Sequence, residues 1–263
     1  MSRLRARCPD CRTLTAVAIG PEYQCHSCGR EFGAGLVRVP RAWGSGGDAM
    51  AAAAWLALPY PEAGVVEASS LAEQTLMVAA ELPDRPLVLG GCCCAHLGAI
   101  ERLASGDETL AVVWIDAHGD LNTPASSPSG DAWGMPLRTL VDDGSIDPAN
   151  VALVGARNLD PPEVEFIAQA GIHTAHIHTA DGAVERALAG TDSVYVALDG
   201  DSVEPGELAV FMPEPDGLGL DELEALLRSI AGRSHVAGAG LSGLVADPAN
   251  EPKLVRLCAA LGF

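Results

Sequence analysis

The sequence predicts an α/β protein of three layers, α/β/α, with a mainly parallel sheet covered by helices on both faces and a small cysteine-rich segment ahead of it. Two observations carry this. From residue 36 onward short apolar runs alternate with longer helical stretches, the rhythm that builds a parallel sheet. Several of the apolar runs are followed at once by clusters of polar residues, and in such sheets sites lie beyond the carboxyl ends of the strands. With 263 residues, 48% of them hydrophobic, the chain can hold one large domain and a small appendage. The expected division is 1–33 for the appendage and 34–263 for the α/β body.

In chain order, Cys8-Pro-Asp-Cys11 and Cys25-His-Ser-Cys28 come first, with Gly29 just after the second pair. Each pair makes a tight turn whose two thiolates face one ion, and two such turns complete a tetrahedral site. So short a segment has too little core to fold alone, so one structural zinc ion on Cys8, Cys11, Cys25 and Cys28 would supply much of its stability. Disulfides or free thiols are the alternatives, and an intracellular chain disfavours the first. The pattern resembles a zinc ribbon, for which a stabilising or oligomerising clip is a more ordinary role than nucleic-acid binding.

The body then alternates. Strands are expected at 36–39, 86–90, 110–116, 151–155, 194–199 and 235–240. Gly44-Ser-Gly-Gly47 is a loop, and Asp48 caps a helix through Leu58. Further helices are expected at 70–82, 95–104, 162–170, 181–189, 220–231 and 250–261.

The apolar run that ends at Ile115 delivers Asp116, His118 and Asp120, two residues apart and therefore on one face. Three converging polar groups at the end of a buried strand are costly unless a cation or strong hydrogen bonds satisfy them. Beyond Leu89 comes Gly90-Gly-Cys-Cys-Cys-Ala-His96, and beyond Leu198 comes Asp199-Gly-Asp201. Each cluster alone has a reading as a turn or cap. Together they offer sulfur, imidazole and four carboxylates, enough for two cations that share a bridge.

Asp116-Ala-His118-Gly-Asp120-Leu-Asn122-Thr-Pro124 and Asp199-Gly-Asp201 closely resemble signatures of the arginase and agmatinase superfamily, the ureohydrolases. The resemblance covers about Leu36 to Phe263 and leaves the ribbon outside. It implies the arginase fold, a binuclear manganese cluster and hydrolysis of linear C–N bonds other than peptide bonds. It also implies metal ligands at Cys93, Asp116, His118, Asp120, Asp199 and Asp201, and catalytic roles for Asp120 and His118. Cys93 stands where the family has histidine. A thiolate is softer than imidazole, so zinc or iron becomes an alternative to the two Mn2+.

The substrate loops are partly kept. Asn122 and Ser129 match positions that hold an α-carboxylate in arginases, and Arg157-Asn-Leu-Asp160-Pro-Pro-Glu163 resembles the segment whose second aspartate and glutamate help hold the α-amino group. The plainer reading of Asp160 and Glu163 is a helix start. Trp133 replaces a histidine of the family, and the alignment puts Gly243 where the family has a glutamate that pairs with guanidinium. Loss of that carboxylate removes charge-assisted hydrogen bonds. The expected substrate is therefore amino-acid-like, with a reacting group less cationic than guanidinium, such as an N-hydroxyguanidine (N-hydroxyarginine type) or formimino group. Two further readings stay open: a non-catalytic relative that keeps metals for stability or partner binding, and a single-zinc deacetylase-like hydrolase, for which the sequence lacks a His-His pair.

Composition narrows the partners. Through Arg41, seven arginines face Asp10, Glu22 and Glu31, a balance of +4, so the rest carries −23 to reach the net −19. So acidic a body repels phosphate and makes nucleic acid an improbable partner. No apolar run approaches the ~18 residues of a membrane span, and no secretory signal is visible, which reads as cytoplasmic. A homo-oligomer is an expectation from the resemblance alone. His173, His176 and His178 form only a weak metal pattern, and Cys92, Cys94 and Cys258 read as packing residues.

Overall fold

The computed structural model describes residues 5–6, 8, 10–11, 13–19, 22–33, 35–80, 82–106, 108–176 and 179–263. Two sheets form within them. The smaller runs through β1 (Arg5–Ala6), β2 (Ala16–Ile19), β3 (Glu22–Cys25) and β4 (Glu31–Phe32), each antiparallel to the next. The larger has eight strands: β5 (Leu36–Val39), β6 (Glu62–Val65), β7 (Leu87–Gly90), β8 (Leu110–Ile115), β9 (Val151–Val154), β10 (His173–Ala175), β11 (Ser193–Asp199) and β12 (His235–Ser242). Their spatial order is β10-β9-β8-β11-β12-β7-β5-β6, and every neighbouring pair is parallel.

Among the described residues eight α-helices accompany the strands: α1 (Asp48–Ala51), α2 (Leu71–Ala80), α3 (Leu97–Ala104), α4 (Pro136–Asp142), α5 (Pro161–Ala170), α6 (Ala180–Leu188), α7 (Leu220–Arg233) and, after the last strand, α8 (Asn250–Ala260). Side chains alternate across each strand, and β8 shows the result. Ala111, Val113 and Ile115 pack in one core with residues of α6, α7 and α8, while Leu110, Val112 and Trp114 pack in a second core with residues of α3 and α4. A sheet buried on both faces by helices is the three-layer arrangement expected. Each fully buried Val, Leu or Ile contributes about 1.5–3 kcal/mol, so β8 is firmly anchored where it ends.

The order of the strands also fixes where a site can form. From β8 the chain moves outward to β9 and β10, then returns to β11 on the other side of β8 and proceeds to β12. β8 and β11 are thus neighbours whose onward connections leave in opposite directions, which opens a crevice at their carboxyl ends.

Several elements differ from the sequence expectation. The helix expected over 48–58 ends at Ala51 and tightens into a 3-10 turn, Ala52–Trp55. Arg38 explains the interruption: buried to 5% exposure, its guanidinium donates to the carbonyls of Ala54 and Leu56 and meets Glu62 at 2.6 Å. Strand β6 and helix α4 carry no strong sequence signal and were not expected. The helix expected from Ala95 opens with a 3-10 turn, Cys93–His96. His178 lies outside the described residues; His173 sits in β10 and His176 just after it, and neither joins a potential metal-holding cluster among the described residues. Among the described residues no helix is long and apolar enough to cross a membrane.

Candidate metal centre

The crevice between β8 and β11 gathers the polar residues that the sequence spreads over more than a hundred positions. Asp116, 1% exposed, follows β8 directly and turns its two oxygens to different neighbours. Its Oδ1 accepts from the His118 amide at 2.7 Å and lies 3.5 Å from His118 Nδ1. Its Oδ2 lies 3.6 Å from Cys93 Sγ and accepts from Trp114 Nε1 at 3.3 Å. Asp199 closes β11, with Oδ2 at 2.9 Å from Cys93 Sγ and 3.0 Å from Ser242 Oγ. Asp201 follows in a short 3-10 turn and sets Oδ2 3.1 Å from His118 Nδ1.

Two ligand groups result, Cys93/Asp116/Asp199 and Asp116/His118/Asp201, each with its donor atoms within 4.8 Å of one another. Asp116 belongs to both. Asp120, expected as a ligand, belongs to neither group but lines the same cavity, and its backbone is unusual: φ is +54°, the left-handed region that a non-glycine residue adopts only at a cost. The conformation is held by Arg138 N, which donates to the Asp120 carbonyl at 3.0 Å, and by Leu121 N, which donates to Glu163 Oε1 at 2.9 Å. Asp120 is 4% exposed, and its Oδ2 is buried with no hydrogen-bond partner among the described residues.

Such an oxygen is expensive to bury unless something positive meets it. The electrostatics agree. Burial, followed by repulsion from Asp201, raises Asp199 to about 7; burial and Asp116 raise Asp201 to about 6. Asp116 and Asp120 are pushed up by the same combination, and the Cys93 thiol is pushed well above its usual range by burial and three nearby carboxylates. His118 goes the other way. Although burial opposes its charge, hydrogen bonding to Asp116 and Asp201 lifts it to about 12. Four buried carboxylates and a thiol around one point fit a pair of divalent cations, which would neutralise the repulsion and satisfy Asp120 Oδ2.

A supporting layer was not legible in the sequence. Glu214 Oε1 lies 3.6 Å from His118 Nε2, on the far side of the ring from the cluster, and is held by Asn158 Nδ2 at 3.0 Å. Arg157 donates to the carbonyls of Gly155, Asp201, Glu214 and Pro215 at 2.7–3.0 Å, which ties the Asp201 turn to the Glu214 loop. Behind the cluster His96 Nδ1 meets Tyr195 Oη at 3.1 Å and Nε2 meets Ser242 Oγ at 3.2 Å. With Ser242 Oγ donating to Asp199, the hydroxyl accepts from His96 Nε2, and Nδ1 then accepts from Tyr195. Burial lowers His96 to about 3, so the ring is neutral. These partners are far apart in the chain, so no local pattern announces them.

Above the cluster opens a cavity of about 220 Å³ lined by Asn122, Ser129, Trp133, Asp160, Glu163 and Gly243, among others. Asn122 donates to Asp160 Oδ2 and accepts from Ser126 Oγ, both at 2.8 Å. Glu163 is spent on backbone amides, those of Leu121 and Asp160, each at 2.9 Å, so it buttresses the turn and starts α5. Trp133 packs edge-on against Phe211 with ring centroids 5.9 Å apart, and Gly44 leaves room for its ring. Gly243 has φ +69°, and a Cβ there would overlap the Asp199 carboxylate.

In the small sheet the four cysteines converge as a second group, with Sγ atoms within 4.8 Å of one another. The Cys8–Cys28 and Cys11–Cys25 pairs stand 3.5 and 3.4 Å apart, near the ~3.8 Å edge of a tetrahedron built on Zn–S bonds of about 2.3 Å.

Comparison with known proteins follows the same lines. Residues 49–247 match the model of the family described as Arginase family. The arginase of Staphylococcus aureus (strain MRSA252) is 36% identical over 142 residues, 46% of this chain and 47% of that protein. The chain thus matches about half the length of its curated relatives. In three dimensions it is similar to the crystal structure of arginase from Bacillus cereus, with a TM-score of 0.73 and 25% identity over 87% of this chain and 97% of that one. The proclavaminate amidino hydrolase from Streptomyces clavuligerus shares the fold, with a TM-score of 0.69 and 23% identity over 88% and 91% of the two chains.

Proposed function

Since the chain belongs to the arginase family, we propose that it is a metal-dependent hydrolase that cleaves a linear amidine-type C–N bond of an amino-acid-like substrate such as an N-hydroxyguanidino or formimino compound. The observation that carries the reading is Asp120: a strained backbone aims a buried, unpartnered carboxylate oxygen into a cluster already rich in negative charge. Cys93, Asp116, His118, Asp120, Asp199 and Asp201 would hold two divalent cations, Asp116 contributing to both. When bound, these supply Lewis acidity and a water nucleophile active near neutral pH.

The chain's own residues do the rest. Asp120 Oδ2 takes the proton of the attacking water and returns it to the departing nitrogen. Asp160 and Glu214 fix Asn122 and His118 in place. Asn122 and Ser129 line the cavity where an α-carboxylate would be received, and the Asp160 carboxylate faces an α-amino group; Glu163, occupied with amides, supports both. Trp133, wedged against Phe211, closes one wall and keeps water out rather than carrying protons. Without a carboxylate at 243 to pair with guanidinium, plain arginine is a poor fit. The cysteine group at the N-terminus is read as a structural zinc site.

The test is turnover by cation-loaded protein of arginine, N-hydroxyarginine and formimino amino acids, side by side. Faster turnover of the modified compounds supports the reading. Equal turnover of arginine removes the substrate assignment. No turnover of any of them with both cations bound favours a non-catalytic relative, in keeping with Trp133 in place of a proton-carrying histidine.

A further inference from the structure

The three consecutive cysteines after β7 are not equivalent. Cys92 Sγ turns away and accepts from the Trp43 amide at 3.4 Å. Cys93 Sγ, in a residue only 6% exposed, faces Asp199 Oδ2 at 2.9 Å and Asp116 Oδ2 at 3.6 Å, and it is the one of the three that joins a potential metal-holding group. Cys93 borders the apolar core, but its sulfur, with two carboxylate oxygens and the Ser242 hydroxyl within 3.6 Å, is placed to ligate a cation.

The split of Asp116 divides the centre by chemistry. Its Oδ2 looks toward Cys93 and its Oδ1 toward His118. On the Cys93 side the unshared donors are a sulfur and the Asp199 carboxylate. On the other side they are the His118 imidazole and the Asp201 carboxylate. Ser242 Oγ, 3.2 Å from Cys93 Sγ and 3.0 Å from Asp199 Oδ2, can hydrogen-bond either one and orient both. Thiolate selects thiophilic ions, whereas carboxylate and imidazole accept harder ones.

We infer that the two cation positions are unequal: the Cys93/Asp199 position takes a thiophilic divalent ion of the zinc, ferrous or cobalt kind, and the His118/Asp201 position a harder one of the manganese kind. The inference rests on the proposed reading of the cluster as a two-cation centre.

Cobalt(II) titration of the full chain, with zinc already in the N-terminal cysteines, tests it. The first equivalent should produce a thiolate-to-cobalt charge-transfer absorption, and Cys93→His should lose that absorption while it still binds two ions. Cys93→Ser serves as a second variant, and the wild-type spectrum stands by itself if neither folds. In competition, zinc should displace manganese from one wild-type position at far lower concentration than from the other, and the two thresholds should converge in Cys93→His. Two bound cobalt ions without the absorption in the wild type would overturn the asymmetry and leave the two-cation centre intact. The same holds for an absorption that survives in Cys93→His. No ion bound beyond that of the N-terminal cysteines would overturn both.

Discussion

At the scale of single residues, Asp120 bears the most consequence. Asparagine tolerates the left-handed backbone that Asp120 adopts, so Asp120→Asn should fold and keep much of its metal. It should nonetheless lose turnover by about 10²–10⁴-fold, the usual worth of a positioned acid–base group. Metal analysis beside kcat checks this, and a metal-replete, active variant contradicts the proton-carrying role. Gly243 makes a second case. Any side chain there meets both a left-handed φ, at about 1–2 kcal/mol, and the Asp199 carboxylate. Gly243→Glu, which restores a carboxylate at that position, is expected to weaken cation binding and to confer no arginine turnover; tight metal retention with new arginine activity would reverse that view. The main cluster residues were legible because Asp116, His118 and Asp120 follow an unbroken apolar strand at period two, and Asp199 and Asp201 repeat the device. Glu214 and Ser242 were not, since each meets the cluster only through the folded chain.

At the scale of elements, the parallel strands and long helices could be read from apolar periodicity, and the exceptions have local causes. Glu62–Val65 is short and only partly buried, so β6 has no apolar run to announce it. Helix α4 has seven residues and starts on Pro136, one residue after the 3-10 turn Ala132–Gly134. The alanine run at 51–54 reads as helix, but Arg38 takes the carbonyls of Ala54 and Leu56 and stops it. The His96 relay, which spans β11, β12 and the turn after β7, yields a pH prediction. Burial depresses His96 to about 3 in the folded chain, while an unfolded histidine titrates near ~6.5. Below that value the unfolded state takes up the extra proton. Stability contributed above pH ~6.5 is therefore lost as pH falls toward about 3, by up to ~1.4 kcal/mol per unit. Urea unfolding of wild type and His96→Gln at pH 7, 6 and 5 should show the wild type losing stability faster; parallel pH slopes would contradict a buried neutral His96.

At the scale of the whole molecule, the chain joins a small antiparallel sheet around four cysteines to an acidic α/β body whose candidate metal centre lies between β8 and β11. The small sheet has a minimal core, in which Cys8, Ala16, Tyr23 and Cys25 are buried. Cys25→Ser should therefore release one zinc per chain and open residues 1–33 to protease, while cation binding in the body persists. Loss of both together would mean that the two parts stand or fall as one. The four-cysteine group was legible in the cysteine spacing, and the family in the two aspartate motifs. The cavity wall was less so, because Gly44, Trp133 and Phe211 come together only through tertiary packing.

The most direct measurement is electron paramagnetic resonance of the full chain saturated with manganese, with zinc kept in the N-terminal cysteines. Two ions bridged by Asp116 should give the spectrum of an exchange-coupled pair, and Asp116→Asn should abolish the coupling. An isolated-ion spectrum at saturation, or no manganese held at all, would contradict a two-cation centre at the ends of β8 and β11.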